Sequence, residues 1–201
     1  MNNKEHWEKI YTTKTPQEVS WTQNIPKTSL DLIEKYNLSK DANIIDVGGG
    51  DSVLVDHLLK LGYTKLSVLD ISEAAIKRAQ KRLGSDAEKV TWIVSDITKF
   101  SPNTSYDLWH DRAVFHFLTE QGDIDTYIDL VRDNVSKLVI GTFSEDGPLK
   151  CSGLEITQYD EAKIIKTFYP TFNSLECFTV DHTTPFDTTQ NFIFARMTKS
   201  E

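Results

Sequence analysis

At 201 residues, the chain has room for one α/β domain with a sizeable core and too little for two full domains. Its hydrophobic share of 39% and charged share of 26% are those of an ordinary globular protein, which argues against a disordered or fibrous chain. The net charge of −8 disfavours a nucleic-acid backbone as partner, because the longest basic cluster is KRAQKR at 77–82, within a helical pattern. Two cysteines, Cys151 and Cys177, give no disulfide framework and suit a reducing compartment. No stretch approaches the length of a membrane span, and the opening MNNKEHWEKIY has no apolar segment, so a cytoplasmic protein is expected.

In chain order, residues 5–11 predict a short helix carrying Trp7 and Tyr11, broken at Thr15-Pro16 and followed by an irregular arm, EVSWTQ. Pro26 then opens a predicted helix over 27–36. Trp7 and Trp21 on a polar arm suggest a lid laid over a pocket; the alternative is a plain cover for a sheet edge. Residues 1–40 are thus read as an N-terminal helical arm and 41–201 as the core of a single domain.

The core opens with the most informative stretch, NIIDVGGGDSVLVDHLL at 43–59. An apolar run, three successive glycines and a second apolar run read as a buried strand, a tight turn and a helix. Glycine supplies positive φ and a surface without Cβ, and the helix start offers unpaired N–H groups to a ligand. The unit is expected to seat a nucleotide cofactor, against the blander reading of a structural turn. A dinucleotide fingerprint would need G-x-G-x-x-G, whereas Gly48, Gly49 and Gly50 are followed by Asp51, Ser52 and Val53. The third glycine is missing, and Asp51 is the wrong charge beside a diphosphate.

Further strands are predicted over 66–69 ending at Asp70, 90–94 ending before Asp96, 106–110 running into Asp111, and 138–143. Helices are expected over 72–83 and 119–135. The alternation predicts a parallel sheet covered on both faces. Residues 141–153 read as a loop and 159–168 as a helix. Strands over 175–180 and 192–197 follow with no helix between them, which implies an antiparallel hairpin at the sheet edge. The fold class is therefore α/β, a Rossmann-like doubly wound sheet.

The pattern D-x-G-x-G formed by Asp46, Gly48 and Gly50 resembles the first motif of class I S-adenosylmethionine-dependent methyltransferases, with Ser52 a departure where a further glycine is common. HWEKIY, EVSW, IIDVGGG, VLDIS, VSDIT, YDLWHDRAVFHFL and TPFDTTQNFIF together resemble small bacterial members of the tellurite-resistance and thiopurine-methyltransferase-like type. The resemblance implies seven strands with a C-terminal antiparallel hairpin and S-adenosylmethionine as cofactor, leaving S-adenosylhomocysteine as product. It implies methyl transfer to a small acceptor, a thiol or other soft nucleophile being favoured, with a protein lysine as the alternative. An NAD-dependent oxidoreductase and a catalytically silent cofactor-binding partner stand as rivals from other classes.

An acid closes each of four successive strands: Asp46, Asp70, Asp96 and Asp111. Asp70 can accept two ribose hydroxyls and Asp96 an adenine amine, while Ile97 supplies a backbone N–H and Ile71 packs on the ring. Each lone acid is also a plausible helix cap. The glycine turn (Gly48, Gly49, Gly50), Asp46 and Trp21 complete the expected cofactor contacts, and the resemblance adds His110 and Asp111 beneath the transferable methyl. His116, Asp111 and Arg112 are the expected catalytic group, with Arg112 and His116 facing the acceptor together from one helical turn. A structural Asp111–Arg112 pair and a core histidine are the alternatives. His110 and His116 lack metal-ligand spacing, so no metal is expected, and the sequence is silent on oligomeric state.

Overall fold

A computed structural model describes residues 3–200, of which Ser174 and Leu175 are described by their backbone alone. The chain runs α1 (Asn3–Thr13), α2 (Lys27–Glu34), β1 (Asn43–Val47), α3 (Leu54–Lys60), β2 (Lys65–Asp70), α4 (Glu73–Leu83), β3 (Val90–Val94), β4 (Leu108–Arg112), α5 (Gln121–Asn134) and β5 (Lys137–Phe143). A small hairpin of β6 (Lys150–Cys151) and β7 (Leu154–Glu155) follows, then α6 (Glu161–Phe168), β8 (Phe172–Thr183) and β9 (Thr189–Lys199). The main sheet has seven strands in the order β3-β2-β1-β4-β5-β9-β8. The first five are parallel, and β9 and β8 pair antiparallel at the edge. This is the expected doubly wound architecture. The strand order reverses beside β1, so β1 and β4 part their connections at that point and leave a crevice at their carboxyl ends.

Period-two alternation splits the strands between two cores. Ile45, Val47 and Trp109 face one layer, packed with Tyr127 and Val131 of α5 and Ile164 of α6. Ile44, Leu66, Val68 and Leu108 face the other, packed with Leu32 and Ile33 of α2, Leu54 and Leu58 of α3, and Ile76 of α4. Continuous burial on both faces explains why these strands read as apolar runs.

Three elements depart from expectation. The last two strands are much longer than 175–180 and 192–197, because the polar connection DHTTPFDTTQN is mostly ladder: Asp181 pairs with Asn191, His182 with Gln190 and Thr183 with Thr189. The loop over 141–153 is shorter, since Gly141, Thr142 and Phe143 continue β5 and residues 150–151 open the small hairpin. The fourth strand starts at Leu108, Tyr106 keeping only an isolated bridge to Val135. Among the described residues no helix is long and apolar enough to cross a membrane.

The N-terminal arm lies across the carboxyl ends of the strands. Glu8 of α1 accepts hydrogen bonds from Ser72 Oγ (2.7 Å) and Ala74 N (3.3 Å) at the start of α4. Trp7 packs edge-on against Phe117 and Trp21, with ring centroids 5.1 and 5.7 Å away.

Candidate active site

The glycine turn is built for close packing. Gly48 has φ +67°, a left-handed conformation that favours glycine, and a Cβ there would lie 2.0 Å from Val114 Cγ2. A Cβ on Gly50 would lie 2.6 Å from Ala75 Cβ and 2.7 Å from Asp70 Oδ2, so glycine here lets α4 close on the turn. The turn satisfies its own donors. Gly48 N and Gly49 N donate to Leu69 O (2.7 and 3.3 Å), and Gly50 N donates to Asp70 Oδ2 (3.1 Å). The three glycine N–H groups are therefore engaged within the fold, and the helix start expected to offer unpaired N–H groups lies further on, at Leu54. Such a turn has little to offer a diphosphate.

Asp51 departs from a free acid too. It pairs with Arg78 and Arg82, each at 3.2 Å, and Arg82 also reaches Asp56 at 2.9 Å. Two arginines of the basic cluster, Arg78 and Arg82, are thus spent on Asp51 of the turn and Asp56 of α3.

One cavity of about 710 Å3 runs along the carboxyl ends of the strands, a size that encloses a drug-sized ligand. Its near wall carries Asp46, Gly48, Gly49, Asp70, Ile71, Asp96 and Ile97; its roof is the arm, through Trp7, Tyr11 and Trp21. Its far wall carries His110, Arg112, Phe117, Phe143, Cys151, Gln190 and Phe192. Most residues singled out in the sequence thus meet in one place. Gly50, Asp111 and His116 are not on this wall.

Asp70 is 5% exposed. Besides Gly50 N it accepts Ser72 N at 2.8 Å, which orients both oxygens. Burial pushes its carboxyl up to about 6, with Asp46 and Asp51 adding to the rise and the two backbone donors opposing it. Asp96 caps the turn over Ile97–Lys99, its Oδ1 accepting Thr98 N (3.0 Å) and Thr98 Oγ1 (2.8 Å).

Asp46 and His110 are register neighbours on β1 and β4 and point to the same face. Asp46 Oδ1 lies 2.6 Å from His110 Nδ1, and His110 Nε2 lies 2.8 Å from Ser29 Oγ of α2. This chain fixes the start of α2 to the switch point. Asp46 Oδ2 is buried with no partner, beside the cavity.

Alternation explains why Asp111 parts from its neighbours. Its side chain points to the α5 layer, away from His110 and Arg112, and is 0% exposed. It accepts Val114 N (3.0 Å), Phe115 N (3.3 Å) and the Tyr127 hydroxyl (2.8 Å), while that hydroxyl accepts Trp109 Nε1 at 2.9 Å. Burial raises its carboxyl to about 6, with these donors opposing. Asp111 and Arg112 form no ion pair; the acid acts as a cap.

His116 sits in a short 3-10 turn, Phe115–Phe117, and is 0% exposed. Its ring stacks on Phe143 with centroids 4.6 Å apart, and its Nδ1 accepts Phe143 N at 3.3 Å. Burial, then the Arg112 charge, pulls its pKa down to about 3. His116 and Arg112 therefore do not face an acceptor together: Arg112 ends β4, and His116 is folded under Phe143.

Arg112 is the cation of the far wall. Its Nη1 donates to Trp21 O at 3.0 Å, tying the arm down, and its Cζ lies 4.8 Å from the Phe192 ring centre. Its Nε and Nη2 are buried without a partner. Sequence reasoning grouped Arg112 with catalysis but had no signal for Phe192 or Gln190, which lie 80 and 78 residues further on, Phe192 at the start of a strand of the edge hairpin and Gln190 in the connection read as loop.

Residues 45–138 match the methyltransferase domain family. Malonyl-[acyl-carrier protein] O-methyltransferase 1 of Ilyobacter polytropus is 30% identical over 109 residues, 54% of this chain and 40% of that protein. The eEF1A lysine and N-terminal methyltransferase of Mus musculus is 26% identical over 169 residues, 71% of this chain and 24% of that protein. The chain thus spans less than half the length of these curated relatives. Among solved structures, the N-methyltransferase NodS from Bradyrhizobium japonicum in complex with S-adenosyl-l-homocysteine superposes with a TM-score of 0.73 at 16% identity, covering 100% of both chains. TehB from Haemophilus influenzae superposes with a TM-score of 0.68 at 16% identity over 90% of this chain and 64% of that one. Residues 45–138 are thus similar to the methyltransferase domain family, and the whole chain shares the fold of the solved methyltransferase structures on which it superposes.

Proposed function

We propose that the protein transfers the methyl group of S-adenosylmethionine to a small-molecule acceptor by in-line displacement at the sulfonium. The observation that carries this reading is the continuity of one cavity from an acid rim to an aromatic pocket. Asp70 accepts the ribose hydroxyls, Asp96 the adenine amine, and Ile97 and Ile71 bracket the ring. Gly48 and Gly49 give the methionine chain a smooth floor. Asp46 Oδ2, buried and unpartnered, accepts the cofactor's ammonium, with His110 fixing the carboxylate's orientation. Trp21 closes the roof. Asp111 holds the β4 turn from below, and Gly50 lets α4 close.

The reaction asks little of the protein. The sulfonium is already activated, so alignment and exclusion of water supply most of the rate. This matches a far wall without an available imidazole: His116 is sealed under Phe143, and both ring nitrogens of His110 are engaged. The arm roofs the cavity with Trp7, Tyr11 and Trp21, which favours a small acceptor over a docked protein. A lysine side chain remains a second reading, because the similarity to the eEF1A lysine methyltransferase extends over 71% of the chain.

The test is incubation with methyl-labelled S-adenosylmethionine and a panel of thiols, amines, carboxylates and cell extract. Label in a low-molecular-weight fraction supports the proposal. Label in protein alone selects the lysine reading, and no transfer to any fraction defeats both.

A further inference from the structure

Arg112 is the least satisfied charge in the cavity. Two of its guanidinium nitrogens, Nε and Nη2, are buried without a partner. These two lie on one edge of the guanidinium, where their N–H bonds are parallel, the fork that matches the two oxygens of a carboxylate. No acid of the described residues makes an ion pair with it: Asp46 is bonded to His110, and Asp111 points to the opposite face. The Asp46 carboxylate acts on this cation only from beyond ion-pair contact. A buried cation without a contacting counter-ion is costly, so a site that keeps one implies that a ligand supplies the charge. The surroundings are otherwise apolar or neutral: Phe143, Phe192, the Cys151 thiol, and Gln190, whose Oε1 is also buried and unpartnered.

Resting on the reading above, we infer that the methyl acceptor is a small carboxylic acid, bound as its carboxylate on the Nε/Nη2 edge of Arg112 and methylated on oxygen. Position selects the acceptor over the cofactor's own carboxylate as the occupant. Asp96 and Asp70 mark the β3–β2 side of the switch, whereas Arg112 ends β4 across from Asp46, with its guanidinium over Phe192 of β9 and Cys151 of β6 near its charge. Chemistry selects the carboxylate over a thiol or amine. A carboxylate is already anionic at neutral pH and needs no base, and the imidazole on this wall, His110, has both ring nitrogens engaged. In the step, a carboxylate oxygen forms a bond to the methyl carbon as the carbon–sulfur bond breaks. The sulfur leaves with that electron pair as neutral S-adenosylhomocysteine, and the product is a methyl ester. No proton is lost. The neutral ester then has weaker attraction for Arg112, which favours release.

The test uses methyl-labelled S-adenosylmethionine with a panel of short aliphatic, dicarboxylic and aromatic acids. Methyl esters are read as volatile labelled methanol after mild base. Wild type is expected to give base-labile label with at least one acid, and Arg112→Gln to lower its kcat/KM by about 100-fold while leaving the S-adenosylhomocysteine Kd within about threefold. Arg112→Lys keeps the charge without the fork and is expected to recover only part of that loss. Unchanged cofactor binding certifies that each variant is folded. If wild type binds the cofactor but yields only base-stable label, or none with the acids, the carboxylate inference falls and the cofactor site stands. If Arg112→Gln abolishes cofactor binding while still folded by circular dichroism, the carboxylate inference falls, because Arg112 then serves the cofactor, through the arm it ties down at Trp21 or through the cofactor's own carboxylate. If wild type binds no S-adenosylhomocysteine, the methyltransferase reading itself fails.

Discussion

His116 offers the sharpest separation of a structural from a catalytic role. Its ring is sealed between Phe143 and Phe117, with centroids 4.6 and 4.5 Å away. In the fold its pKa lies at about 3, below the ordinary 6.5, because burial and Arg112 oppose a second charge. A depressed folded pKa means that the unfolded chain takes up the proton first, so stability is lost as pH falls below 6.5. Between pH 7 and pH 5 the unfolded imidazole alone gains about 2 kcal/mol from protonation, at roughly 1.4 kcal/mol per pH unit. Asp70 and Asp111 act in the other direction: their carboxyls are raised to about 6, so their contribution is full at low pH and is lost as pH rises through 6. Comparison with His116→Asn removes these shared terms, and the amide oxygen still accepts Phe143 N–H. Urea unfolding of both proteins at pH 7 and pH 5 gives the difference. Wild type is expected to lose about 2 kcal/mol more than the variant over that interval, while the variant keeps its affinity for S-adenosylhomocysteine. Parallel pH profiles would refute the claim that His116 is buried and neutral.

The remaining predictions probe the rim and its supports. Asp70→Ala should weaken S-adenosylhomocysteine binding by about 1.5–3 kcal/mol, read by calorimetry; unchanged affinity would put the ribose elsewhere. Because an ionised Asp70 is the better acceptor, wild-type affinity should fall as pH drops below about 6, and this dependence should vanish in Asp70→Asn. Gly50→Ala should destabilise the fold by roughly 1–3 kcal/mol through overpacking against Ala75 and Asp70, measured by urea unfolding. Asp111→Ala removes the acceptor of two backbone N–H groups and the Tyr127 hydroxyl; it should cost about 2–4 kcal/mol of stability and leave cofactor affinity of the folded fraction unchanged.

The cofactor half of the site was legible because it is local. Glycine spacing, strand-end acids and apolar runs all lie between residues 44 and 97, and successive strand–turn–helix units fix where each side chain goes. Parity along β4 was equally present, since His110 and Arg112 share one face and Asp111 takes the other; reading the stretch as one mixed cluster obscured it. The acceptor half was not legible for a different reason. Arg112, Cys151, Gln190 and Phe192 meet only because β9 returns beside β5, a pairing that no spacing within one stretch discloses, and Gln190 itself lies in the polar connection that reads as loop. The pairing of Asp51 with Arg78 and Arg82 was likewise hidden, since it depends on how α4 docks rather than on spacing within one element.

The account depends on an adenosyl sulfonium lying along Asp46, Asp70 and Asp96, and titration calorimetry tests it most directly. S-adenosylmethionine and S-adenosylhomocysteine should each bind with one site per chain, and NAD+ and NADH should give no heat of binding. Saturable NAD(H) binding with neither adenosyl ligand taken up would contradict it.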